Sequence, residues 1–206
     1  MVSAKKIIKN KTGIMKKLVV SFALALVALV TYAQSNSEHL SFKGIPIKGS
    51  LTEFCEKLQT KGYKYEGKDS NMAMFTGDFT GRDATIGVSA DDNGQNVYAV
   101  IVVFDSSGKW KILANTYSYY KDLYTKKYGK PFISTENNPA ESDSNMDLMS
   151  ELYHDNVQWS SVWVVTGGTI NLGIMGDYGS FQGHVSILYR DSQNEESKEK
   201  KYLEDI

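Results

Sequence analysis

The residues best suited to covalent chemistry in this chain of 206 residues are three histidines, His39, His154 and His184, and one cysteine, Cys55. Nucleophilic hydrolysis needs a Ser or Cys beside a His that a third group orients. Neither a Gly-x-Ser-x-Gly elbow nor a comparable signature accompanies any of the three, so no catalytic residue is assigned and no cofactor is implied. Cys55 falls on the apolar stripe of an expected helix, where a thiolate is poorly solvated, and reads as a small buried hydrophobe. Asp91-Asp92-Asn93-Gly94 offers the oxygen ligands calcium prefers. It lacks the alternating spacing and the distal bidentate Glu of a calcium loop, and reads as a turn; no metal site is assigned. Asp177, Asp191, Glu53 and Glu56 have no spacing that marks a catalytic carboxylate pair.

Aromatic side chains carry the clearest binding content: 13 tyrosines, 8 phenylalanines and 3 tryptophans. Trp159 and Trp163 share one face of an expected strand with Ser161 and Val165, opposite Val162 and Val164. If the valines face the helices, both indoles lie on the open face as binding anchors; if the indoles face inward, they are core. Together with Tyr178 and Phe181 in the loop Asp177-Tyr178-Gly179-Ser180-Phe181, they form the expected binding set.

The elements that must position these residues begin after an export leader. Met15-Lys16-Lys17, an apolar run from Leu18 to Tyr32 and then Ala33-Gln34 have the basic start, apolar centre and small terminal residue of a signal peptide. The run is short for a hydrocarbon core that takes about 20 residues to span, so cleavage near Ala33 is expected, with no stable membrane anchor afterwards. Met15 is an alternative start. Six lysines and no acidic residue precede Gln34; the remainder holds 17 basic and 24 acidic side chains, a formal charge of -7. That balance argues against nonspecific nucleic-acid binding, which relies on Lys and Arg. One cysteine permits no intramolecular disulfide.

The spacing predicts an edge strand over His39 to Ile47. A helix capped by Ser50 and Glu53 follows, with Leu51, Phe54, Cys55 and Leu58 on one face and Gly62 at its end. Strands are expected at Met72 to Phe79, Ala84 to Ala90 and Val97 to Phe104, joined by Gly81-Arg82-Asp83 and Asp91-Asp92-Asn93-Gly94 as antiparallel hairpins. In the middle strand Ala84, Ile86, Val88 and Ala90 alternate with Thr85, Gly87 and Ser89, the pattern of a half-buried sheet.

The order then recurs. A helix from near Ser107 carries Trp110, Leu113, Tyr117, Tyr120 and Leu123 or Tyr124, and Gly129 and Pro131 stop it. Strands follow at Val157 to Thr166, Thr169 to Met175 and His184 to Arg190, with Gly167-Gly168 as a turn. Leu58, Thr60, Lys61 and Tyr63 match Leu123, Thr125, Lys126 and Tyr128 at a constant offset, which points to a repeat. The expected organisation is a signal peptide over 1–33, a first α+β unit over 34–106, a second over 107–192 and a charged tail over 193–206, frayed or disordered. An insertion over 134–156 in the second unit holds a loop from Asn138 to Ser144 and a short helix from Met146 to Tyr153.

His39-Leu40-Ser41-Phe42-Lys43-Gly44-Ile45-Pro46-Ile47, Lys126-Lys127-Tyr128-Gly129-Lys130-Pro131 and Gly168-Thr169-Ile170-Asn171-Leu172 together resemble a group of secreted proteins of gut-type bacteria in which HLxFKGIPI and KYGxP recur. These motifs carry no chemistry. The doubled helix-and-meander order more loosely resembles the β-lactamase inhibitory protein fold and small outer-membrane assembly lipoproteins. The inhibitor's paired cysteines and the lipoprotein's N-terminal cysteine are both missing, and fold analogy transfers no target.

The fold expectation is therefore α+β, two related helix-plus-antiparallel-meander units with helices on one sheet face. The functional expectation is a secreted or periplasmic protein that binds or inhibits another secreted or envelope protein through its open sheet face. Its alternatives are a small-ligand carrier or enzyme with a site between the units, and a structural envelope component. The residues leave the oligomeric state open.

Overall fold

A computed structural model describes residues 38–138, 144–177 and 179–195. The leader, most of the loop after Asn138, Tyr178 and the tail from 196 onward lie outside the described residues. The chain is α+β, with a two-stranded sheet β1-β2 and an eight-stranded antiparallel sheet in the order β3-β4-β5-β6-β10-β9-β8-β7. The strands are β1 (Ser41–Phe42), β2 (Ile45–Pro46), β3 (Lys64–Asp69), β4 (Met72–Asp78), β5 (Asp83–Ala90), β6 (Val97–Phe104), β7 (Ile133–Asn137), β8 (Gln158–Val165), β9 (Gly168–Gly176) and β10 (Gly183–Asp191). The helices are α1 (Leu51–Thr60), α2 (Trp110–Tyr128) and α3 (Asn145–Tyr153). Among the described residues, no helix is long and apolar enough to cross a membrane. The described residues gather into two compact units, one of those up to Val102 with Val165–Thr169 and those from Leu188 on, the other of those within Val103–Val164 and Ile170–Ile187.

In the first unit, the edge strand expected over His39 to Ile47 is instead a tight hairpin of its own, pairing Ser41 with Pro46 and Phe42 with Ile45. Lys43 and Gly44, both at positive φ, make the turn, a backbone twist that suits a two-residue hairpin. The hairpin drives Phe42 fully into the core, stacked on Phe79 at 5.9 Å and edge-on to Tyr189 at 5.1 Å. Ser50 caps α1, its hydroxyl accepting from the Glu53 amide at 3.3 Å, and Leu51, Phe54 and Leu58 face inward. Gly62, at φ +89°, lets the chain leave the helix.

The β4–β5 register sets Phe75 opposite Ile86 and Ala73 opposite Val88 on one face. Gly87 and Ser89, which alternate with them, are also buried, so the middle of β5 is covered on both faces rather than half-buried as the alternation predicts. The unpredicted strand β3 is polar; it adds to β4 as an edge and bulges between Tyr65 and Gly67.

Asp191 closes this unit. Its fully buried carboxylate accepts from the Leu40 amide at 2.9 Å, the Asn194 amide at 3.0 Å and His39 Nδ1 at 3.1 Å. Asn194 Nδ2 then donates to the carbonyls of Ile47 and Val97. Residues 38–40 pass so close to Gly167 that a Cβ there would sit 2.4 Å from the Leu40 nitrogen, and one on Gly168 would sit 2.0 Å from the Arg190 carbonyl oxygen. Only glycine fits either place.

In the second unit, α2 buries Trp110, Leu113, Thr116, Tyr117, Tyr120 and Tyr124 along one stripe. Lys109, at its N-cap, makes no side-chain cap; Asn145, the first residue of α3, accepts from the Trp110 amide at 2.7 Å in its place. Ser144 caps α3, and Leu148, Met149 and Leu152 face inward. Strand β7, unpredicted and lying almost wholly within the expected insertion, pairs with β8 so that Ser134 meets Ser161 and Glu136 meets Trp159.

Removing the Asp191 carboxylate strands its donors inside the protein. Asp191→Ala is expected to lose about 3 kcal/mol of stability, read as a lower urea midpoint at unchanged slope, and Asp191→Asn less, because the amide oxygen still accepts. An Ala variant as stable as wild type would contradict the clasp.

Candidate functional site

The tryptophans turn inward. Trp163 is 1% exposed, tilted against Tyr124 of α2 at 5.4 Å, with its Nε1 donating to the Gly129 carbonyl at 3.0 Å. Half-buried Trp159 lies edge-on to Trp110 and Tyr117 and donates to Asn138 Oδ1 at 2.8 Å. The residues beside them on this face are polar but engaged: the Tyr117 and Ser161 hydroxyls pair at 2.7 Å, and Ser134 joins them at 3.0 Å. It is Val162 and Val164 that point away from α2, so the condition for an indole anchor on the open face is not met. Large aromatic area is worth more against a tyrosine-rich helix than in water.

Phe181 is placed differently. It is 62% exposed and stacks at 4.9 Å on Tyr153, itself 40% exposed at the end of α3. His154 packs edge-on to Tyr153 and donates through Nδ1 to the Ser150 carbonyl. Together they form an exposed aromatic step. Tyr178, the remaining expected anchor, lies outside the described residues.

His184 has a partner that the sequence did not reveal. It is buried at the start of β10, and its Nδ1 donates to the Asp177 carboxylate at the end of β9. Burial pushes the Asp177 carboxyl up, but hydrogen bonds from His184 and Ser106 and the charge of His184 outweigh it and hold the group below its ordinary value. The available signal was an Asp and a His seven residues apart across a Gly-containing hairpin loop. A dyad of this kind fixes the imidazole tautomer and leaves Nε2 to whatever faces it. Ser186, two residues along the same strand face, makes no hydrogen bond to it.

The other candidates are structural. Asp91 spends its carboxylate on the Gln95 amide at 2.7 Å and Asn96 Nδ2 at 3.1 Å, and Gly94 takes a positive φ, all as turn chemistry. His39 belongs to the Asp191 clasp. Cys55 is half-buried, at the margin of the stripe that Leu51, Phe54 and Leu58 bury rather than within it as expected, and burial still pushes its thiol up to about 11, with Lys68 opposing and Glu56 adding to the shift. Compared with known proteins, the chain matches no family model, no curated protein and no solved structure.

Two measurements test these assignments. With its thiol pushed up to about 11, Cys55 should at pH 8 hold a thiolate fraction about a hundredfold below that of an ordinary thiol, so iodoacetamide should label the native protein about a hundredfold more slowly than the urea-unfolded chain; equal rates would contradict the shift. Asp177 titrates lower when folded than unfolded, so the stability it contributes is present above the unfolded carboxylate value of about 4 and lost as pH falls through the folded one. The gap in urea midpoint between wild type and Asp177→Asn should therefore be full at pH 7 and narrow below about pH 4.

Proposed function

We propose that this is an exported binding module, released into the periplasm or the medium after cleavage near Ala33, whose partner is another secreted or envelope protein. The observation that carries the reading is the exposed Tyr153–Phe181 stack. Two large rings held against each other with much of their area in water are costly to leave bare, and such pre-positioned aromatics are the anchors from which protein interfaces draw most of their energy. Anchoring thus moves from the Trp159–Trp163 face to the β9–β10 loop, where Phe181 and Tyr178 were expected to contribute.

A tandem of two related units, as in β-lactamase inhibitory protein-like folds, is the architecture we infer for this module. Its support is the strand order: β3-β4-β5-β6 follow α1, β7-β8-β9-β10 follow α2, and the second set occupies the sheet in the reverse sense of the first.

Phe181→Ala should leave the melting temperature within about 1 °C, because an exposed ring adds little to folding. It should reduce crosslinking to a defined partner from envelope or culture fractions by tenfold or more. If the variant crosslinks the same species as strongly as wild type, the stack is not the anchor.

A further inference from the structure

In the second unit, the corner where α2 ends and β7 begins carries charge of one sign. Lys126 and Lys127 lie in the last turn of α2 and Lys130 just beyond Gly129; all three are exposed, and no acidic residue stands between Leu123 and Thr135. Lys64 and Lys121 are matched by Glu66 and Glu136, but among the described residues no carboxylate pairs with Lys126, Lys127 or Lys130. Lys127 lies instead over the Tyr128 ring at 4.7 Å. Two residues past Lys130, Phe132 is 60% exposed, and Ile133 is 41% exposed. The backbone beneath them is held: the Phe132 amide donates to the Val162 carbonyl at 2.7 Å, and Trp163 Nε1 donates to the Gly129 carbonyl. Cations suit any helix C-terminus, whose last carbonyls are partly negative. That accounts for Lys126 and Lys127, but not for Lys130 or for a phenylalanine left in water beside it. Both ends of the loop after Asn138 are fixed at the opposite end of α2, where Asn138 accepts from Trp159 and Asn145 from the Trp110 amide. The helix between spans about 28 Å, too far for its acidic residues to reach the corner.

We propose that this corner, with Lys126, Lys127, Lys130 and Phe132, docks the protein reversibly on an anionic lipid surface. Charge complementarity sets the sign of the partner and the orientation. The chain from Gln34 onward holds 17 basic and 24 acidic side chains, so a negative surface repels most of the molecule and attracts the place where cations stand unopposed. The ring then selects a bilayer over a free anion. Phosphate or an acidic peptide meets the lysines and leaves Phe132 in water, whereas a bilayer takes ammonium groups among its headgroups and an apolar ring just below them. Gly129 and Phe132 are three residues apart, at most about 10 Å. That is close to the Debye length of about 8 Å over which surface charge is felt at physiological salt, so cations and ring meet the surface together. Three lysines and one ring give weak, salt-sensitive attachment rather than a fixed anchor. The aromatic step lies by the other end of α2, where a Cβ built on Gly108 would sit 3.6 Å from the Phe181 carbonyl oxygen. Lipid docking is thus separate from that step, and either stands without the other.

The test sediments the full chain with vesicles of phosphatidylcholine alone, or with about a third phosphatidylglycerol, and reads the partition coefficient. In about 0.05 M salt the anionic vesicles are expected to take up wild type about tenfold better than the neutral ones, and about 0.5 M salt should erase the difference. Lys126→Gln, Lys127→Gln and Lys130→Gln in one chain should lower partition onto the anionic vesicles about tenfold, while Arg at the same three positions should preserve it. Phe132→Ser, which leaves the charge unchanged, should lower it severalfold. All three variants should melt within about 2 °C of wild type, because exposed side chains add little to folding. If the Gln chain melts lower than that, the Arg chain, Phe132→Ser and the salt dependence decide. The leader is itself basic and apolar, so binding that survives the Gln replacements belongs elsewhere in the chain and overturns the proposal. It is also overturned if wild type prefers neither vesicle, if Phe132→Ser partitions as wild type does, or if the three lysines bind polyglutamate and no vesicle, which makes the partner an acidic polypeptide.

Discussion

A buried carboxylate organises the first unit. A carboxylate as buried as that of Asp191 needs donors around it, and those it has among the described residues come from His39, Leu40 and the turn just beyond β10. Satisfying the charge therefore fixes where His39 and Leu40 run, and Asn194 extends the same logic to Ile47 and Val97. From there the rest follows by short steps: the Gly49 carbonyl accepts from the Val97 amide and the Gly94 carbonyl from the Leu51 amide, which anchors the first turn of α1 over the β5–β6 turn. The glycine pair at 167 and 168 makes the arrangement sterically possible by letting one backbone pass against another.

Aromatic packing does the corresponding work in the second unit. Tyr117, Tyr120 and Tyr124 present a ring at every turn of α2, and the partners are Trp159, Phe104 and Trp163. Their polar tips are not abandoned: the Tyr117 hydroxyl meets Ser161, Trp159 Nε1 meets Asn138 and Trp163 Nε1 meets the Gly129 carbonyl. This is why so many amphipathic rings can be buried together. Other aromatics are left to solvent, Tyr119 and Phe132 among them, and at one loop two meet, where Phe181 leans on Tyr153.

The two faces of the sheet are therefore different surfaces. In the second unit, one is apolar, aromatic and internally satisfied; the other places Asn171, His184 and Ser186 where their hydrogen-bonding capacity is unmet. A sequence keeps such residues in a strand centre at a cost to stability, and departures of that kind from local consistency are where function tends to reside.

Both longer helices, the short helix after Ser144 and six of the strands were legible from the chain alone, because caps, glycine stops and apolar stripes act over a few residues. What stayed hidden has a common physical cause. β3 and β7 are polar edges with no pattern of their own, and they become strands only because β4 and β8 offer a ladder to pair with. Alternation in β8 showed that Trp159 and Trp163 share a face but not which face the helices would cover, since a period of two is indifferent to inversion. The Asp177–His184 pair comes together through the closing of the β9–β10 hairpin, and Asp191 meets Leu40 across 151 positions of sequence. Local signals determined which segments become rods and ribbons; proximity between distant segments, which exists only once the layers have packed, decided which side chains are core, which are clasped and which are left without a bond.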